Sequence, residues 1–111
     1  EGTIFIEATK KRMIKLNNDA VTMAKSGDLD QAIGMLSEAA DRLTNNAQIA
    51  LNAALALLMR VHRRGDDETS IQRAYAYIMQ ARQANPAHPK LAEVSSFYRK
   101  IAPAGARGLE E

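Results

Sequence analysis

Two histidines, two acidic steps and one basic cluster are the places where this chain's residue types could do chemistry. His62 is followed by Arg63 and Arg64 at the close of an apolar run, and His88 stands between Pro86 and Pro89. A catalytic or zinc-binding histidine needs a nucleophile, a carboxylate or a second histidine at ligand spacing, and no H-E-x-x-H pattern occurs. His62 therefore reads as a cation at the negative end of a helix dipole, and His88 as a turn or N-cap residue. Asp28 and Asp30 open like a calcium loop, but Gln31 and Ala32 follow where further oxygen ligands are required, so helix capping is the better account. Asp66, Asp67 and Glu68 read as a solvated turn before a helix start, where negative charge is favoured. Gly105 and Gly108 do not form a phosphate loop. Lys10, Lys11, Arg12 and Lys15 carry charge that could meet a phosphate backbone, but no aromatic platform or groove-reading motif accompanies them. Nucleic acid is therefore not an expected partner. With no cysteine, thiolate chemistry and disulfides are closed as well. The expectation is a protein that is not an enzyme, with no cofactor and no metal.

The elements that would position these residues are helices. The 111 residues are 46% apolar and 25% charged, with only 5% aromatic and no Trp. The apolar share is rich in Ala, Leu, Ile and Met, and Ala, Leu and Met lose little rotamer freedom in a helix. A chain of this length makes one domain and can bury about two thirds of its unfolded surface. The longest apolar run, Ala53 to Met59, is too short for a membrane span. Ile4-Phe5-Ile6 is too short for a signal core. A cytoplasmic, membrane-free protein is expected. A first residue of Glu1 rather than Met points to a piece of a longer protein.

Apolar residues recur at helical spacing in five stretches. The first runs from about Glu7 to Lys25 through Met13, Leu16, Ala20 and Met23, and Gly27 ends it as a left-handed C-terminal residue. The second runs from Asp28, with Gln31 as a capping-box partner, to about Leu43. Asn45-Asn46 is a turn and N-cap signal for the third, about Ala47 to Arg63. That helix is apolar nearly all round, which predicts a central position. Thr69 and Gln72 offer a capping box for the fourth, which reaches about Ala84 before Asn85-Pro86 stops it. Pro89 opens the fifth, ending near Ile101. Residues 1–12 are expected to be linker and helix start, 13–101 the helical domain, and 102–111 a flexible tail.

Two of these stretches repeat one pattern of small and large residues: Ala32, Leu36, Ala39 and then Ala74, Ile78, Ala81, the second closed by Pro86. Each follows a Gly-Asp step, Gly27-Asp28 and Gly65-Asp66, which itself follows an apolar helical run. The pattern resembles the tetratricopeptide repeat, a helix-turn-helix unit of about 34 residues with small residues at helix crossings. One unit covers Met13 to Asn46. The second covers Ala47 to His88 and is longer by about eight residues around its turn. The resemblance implies an all-α fold of about five antiparallel helices: two repeat units and a solvating cap helix. A narrower resemblance is carried by Gly27-Asp28-Leu29, by Asn46 through Ala54, by Arg63-Arg64-Gly65 and by Ala84 through Pro89. These stretches look like the C-terminal helical extension of some bacterial response regulators of two-component (phosphorelay) signalling.

The tetratricopeptide likeness also implies where a partner would sit, because the first helix of each pair lines the concave face in that family. The positions that follow are Asn17, Val21 and Lys25 on the first helix, Gln48, Asn52, Leu55 and Met59 on the third, and Lys90, Val94 and Tyr98 on the fifth. Some relatives grip a peptide carboxylate with paired lysines and asparagines; Asn52 and Lys90 match two such positions, whereas Asn17 and Val21 depart from theirs. Leu55, Met59 and Val94 are equally readable as core, and an apolar groove would suit an amphipathic partner helix. The implied function is a non-catalytic protein-protein interaction module that receives a protein or peptide segment, or its own upstream domain. Self-association into a homo-oligomer through terminal helices is the alternative.

Overall fold

The computed structural model describes residues 2–65 and 67–102, with side chains from residue 6 onward. Asp66 and residues 103–111, most of the expected tail, lie outside the described residues. Five helices follow one another: α1 (Gly2–Lys25), α2 (Leu29–Arg42), α3 (Ala47–Arg64), α4 (Glu68–Ala84) and α5 (Leu91–Ile101). The described residues contain no strand, so the fold is all-α and repeat-like. No helix among them is long and apolar enough to cross a membrane.

Each helix packs on its chain neighbour, and α3 touches all four of the others, α1 and α5 included. That is the central position its apolar circumference predicts. The repeated pattern is buried: Ala32, Ala39, Ala74, Ala81 and Ile78 are fully enclosed, and Leu36 is 1% exposed. Small side chains let helix axes approach, and the large residue between them fills the remaining gap. α2 and α4 are also joined directly by side-chain hydrogen bonds. Arg73 donates to the Ser37 hydroxyl at 2.7 Å, Tyr77 to Asp41 at 3.0 Å, and Gln80 to the Ala40 carbonyl at 2.9 Å.

The turns follow from local chemistry. Gly27 sits at φ 96°, with its N–H bonded to Ala24 O and the Asp28 N–H to Met23 O, a Schellman closure of α1. Asp28 then accepts the Gln31 N–H and Asn46 accepts the Ile49 N–H, so both expected N-caps are made. The Thr69 capping box is not made: α4 starts at Glu68, with Asp67 at the cap position. Ser70 reaches back to Asp67, which draws the helix start forward. At the N-terminus, α1 begins at Gly2 and so turns the expected linker into helix. At the other end Ala102, expected in the tail, is 5% exposed and belongs to the core.

Two glycines carry opposite stability effects. Gly65 closes α3 at φ 101°, ψ 175°, a region open almost to glycine alone. Its added Cβ would meet no neighbour, so only backbone strain acts, and Gly65→Ala is expected to destabilise by about 1–3 kcal/mol. Gly34 lies inside α2 with open space around it. Gly34→Ala is therefore expected to stabilise by about 0.5–1 kcal/mol, through helix propensity and a less free unfolded chain. Paired thermal melts read the opposite signs directly.

Candidate partner-binding groove

α1, α3 and the turn before α5 enclose an open cavity of about 280 Å³. Val21, Ala24 and Lys25 come from α1, and Asn52, Leu55, Ala56 and Met59 from α3. Leu36 lies at the floor, and Lys90 stands at the far rim. A second cavity of about 450 Å³ shares Asn52, Leu55 and Lys90 and continues along α5 past Val94, Phe97 and Lys100. The two make one groove along the first helices of the pairs, with an apolar floor and with Lys25, Lys90, Lys100 and one acid, Glu93, along its edges.

Its residues face the groove for reasons of helix register. Spacings of four, seven and eleven keep Gln48, Asn52, Leu55 and Met59 on one side of α3. Leu51, Leu57 and Leu58 turn inward and are at most 1% exposed, whereas Leu55 remains 37% exposed. Polar side chains brace the wall between α1 and α3: Gln48 donates to Asn52 at 3.0 Å, and Asn52 donates to Asn17 at 2.9 Å. Asn17 in turn donates to Asn18 at 3.2 Å. This amide chain fixes the distance between the two helices at the groove.

No family model matches this chain, and neither the curated proteins nor the solved structures yield a match. A role must therefore be read from the groove and the surfaces around it.

Six of the ten expected positions line the smaller cavity: Val21, Lys25, Asn52, Leu55, Met59 and Lys90. Gln48 is held beside them through Asn52. Asn17 is buried, and its place is in the brace. Val94 lies in the floor of the larger cavity, 3% exposed. Tyr98 is a correction. It is 1% exposed and packs on Tyr75 with ring centroids 5.8 Å apart, so it belongs to the core between α4 and α5. One residue turns a helical side chain by about 100°, so Tyr98 and its neighbour Phe97 face different sides of α5. Phe97 takes the place expected of Tyr98, half-buried in the groove and edge-on to His62 at 6.2 Å. Ala24 and Ala56 line the groove as well, outside the ten expected positions.

The acids and bases of the turns form a separate network on another face. Asp30 bridges Arg60 at 3.0 Å and Arg64 at 2.9 Å, beyond the capping role expected of it. Arg60 also donates to the Ser70 hydroxyl at 2.8 Å, and that hydroxyl donates to Asp67 at 2.7 Å. The network ties the start of α2 to the end of α3 and the start of α4. Hydrogen bonds from Arg64 and then Arg60 hold the Asp30 carboxyl below the usual carboxylate range. The Ser70 hydroxyl does the same for Asp67. His88 accepts the Lys90 N–H on Nδ1 at 3.1 Å, in the turn role expected of it. Among the described residues, no three metal-ligating side chains converge.

These shifts fix the sign of the acid response. A carboxylate whose pKa is lower folded than unfolded contributes stability above its unfolded pKa. That contribution is lost as pH falls through the folded pKa. The melting temperature of the protein is therefore expected to drop as the solution is acidified below about pH 4. Asp30→Asn should show a shallower drop over the same window. Both carboxylates are solvent-exposed, so the difference is small and needs melts at several closely spaced pH values.

Proposed function

We propose that this chain is a non-catalytic, tetratricopeptide-like binding module whose groove between α1, α3 and α5 receives a helical peptide segment of another protein. The observation that carries this reading is one surface on which Val21, Leu55 and Met59 provide apolar contact while Lys25 and Lys90 stand at its edges. Apolar side chains spaced along one face of a partner helix fit the floor, and acidic residues beside them fit the lysines. Met59 adds a pliable side chain of the kind that lets one groove accommodate related sequences.

The sequence likeness to response-regulator extensions supports a finer assignment: the interaction arm of a cytoplasmic bacterial signalling protein. A parent protein with a receiver domain upstream would bear it out, and a parent without one would remove it.

The groove itself is tested by titrating isotope-labelled protein with a pool of short amphipathic acidic peptides. Amide shifts concentrated at Val21, Leu55, Met59 and Lys90 are the expected result. Shifts confined to other faces would overturn the assignment of this groove.

A further inference from the structure

A second surface lies at the open end of the stack, where α1 outruns its partner. α1 has 24 residues and α2 only 14, and the two run antiparallel. Among the described residues, the difference leaves about 15 Å of the first part of α1 without α2 beside it. The end of α2 meets α1 near Lys10 and Arg12, because Arg42 lines one cavity with Lys10 and another with Arg12 and Met13. Beyond that step, among the residues with described side chains, Ile6 continues the stripe that α2 covers. Ile6 lies one heptad before Met13 and two before Ala20, on the same side of the helix. Met13 and Ala20 are buried, whereas Ile6 is 64% exposed.

Charge decides what can cover it. By helical geometry Lys10 flanks the stripe on one side and Arg12 on the other, and Arg42 stands at the step. All three are exposed. Lys15 is already paired with Asp19 at 2.8 Å, and Arg42 meets Glu38 only at 3.8 Å. The exposed cations Lys10, Arg12 and Arg42 outnumber the acids Glu7 and Glu38 at this end, so a second copy of it gains less from charge than an acidic surface does. An acidic surface meets them with opposite charge.

We propose that the step formed by α1 and the end of α2 docks an acidic amphipathic helix of another protein. That helix extends the stack in the place a preceding α2-like element would hold. One of its apolar side chains covers Ile6, and its carboxylates reach Lys10, Arg12 and Arg42. This surface is separate from the groove and does not depend on the groove being occupied.

The test uses the whole chain, isotope-labelled, and two synthetic helical peptides with the same leucine ridge. One carries glutamates on its polar positions and the other lysines. With the glutamate peptide, amide shifts are expected at residues 6–13 and 42–46, weakened at least tenfold in the Lys10→Glu/Arg12→Glu variant and by raised salt. Ile6→Ser should weaken binding while leaving the melting temperature unchanged. Equal binding of the lysine peptide, no shift at residues 6–13, or shifts only at Val21, Leu55 and Met59 would each overturn the proposal. So would concentration-dependent dimerisation through this end. Tighter binding of anionic phospholipid vesicles or duplex DNA than of the glutamate peptide would also overturn it.

Discussion

Leu57→Ala is expected to remove a large fraction of the protein's stability, about 2–5 kcal/mol out of a total of about 5–15 kcal/mol. Leu57 is fully enclosed at the centre of α3, the helix on which every other helix packs. Truncating it loses the transfer of a buried side chain and leaves a cavity that close-packed neighbours fill only in part. A chain of this size should lose about 10–20 °C of melting temperature as a result. The consequence is also spatial. In a stack of repeats stability is shared between nearest neighbours, so damage at an end frays that end while damage at the centre uncouples both sides. Amide exchange should therefore accelerate in α2 and in α4 together. Leu55→Ala, made on the same helix where the side chain is 37% exposed, is the control and should cost far less. Retained protection of α2 in the Leu57→Ala protein would show that the two halves stand independently.

That contrast between Leu55 and Leu57 marks what could be read from residues alone. Helix identity and order were legible because apolar period, glycine stops and Asx caps agree along the chain: Gly27, Asp28 and Asn46 all act as their types demand. Part of the core was legible because the small-large-small pattern is repeated, and all six of its residues are buried. The start of α1 was not legible. Thr3, Ile4 and Ile6 are β-branched residues of modest helix propensity, and nothing local forces them into helix. The double arginine bridge to Asp30 was hidden for a different reason. Its partners stand 30 and 34 residues away and meet only after α3 has packed on α2. The exchange of Tyr98 for Phe97 is an error of one residue, and one residue is about 100° on a helix. Groove membership is therefore the reading most sensitive to register; on α3, Asn52, Leu55 and Met59 line the smaller cavity, and Gln48 lines neither cavity. On α5, where Lys90 precedes the first helical residue Leu91, the phase had no anchor.

Arginine at Leu55 or Met59 should separate binding from folding. Both side chains line the groove, and Leu55 already faces solvent, so a longer cationic side chain can be carried there without disturbing the enclosed face of α3. The melting temperature of Leu55→Arg should stay within about 2 °C of the parent, as for surface changes worth under about 0.5 kcal/mol. A peptide that binds through an apolar ridge would instead meet a guanidinium at the centre of its contact area. Losing a central apolar anchor costs about 2 kcal/mol or more, and a charge whose hydration is stripped without a partner adds to that. The expected outcome is a loss of affinity of about 30-fold or more in either variant, since each 1.4 kcal/mol is a factor of ten. Lys90→Ala should behave differently, because a charge at the rim acts through long-range attraction. It should slow association and reduce the salt dependence while leaving dissociation nearly unchanged. Kinetic binding traces at two salt concentrations distinguish the two patterns. If Leu55→Arg and Lys90→Ala both leave peptide affinity intact while the chain remains folded, the groove is not the surface that the partner uses.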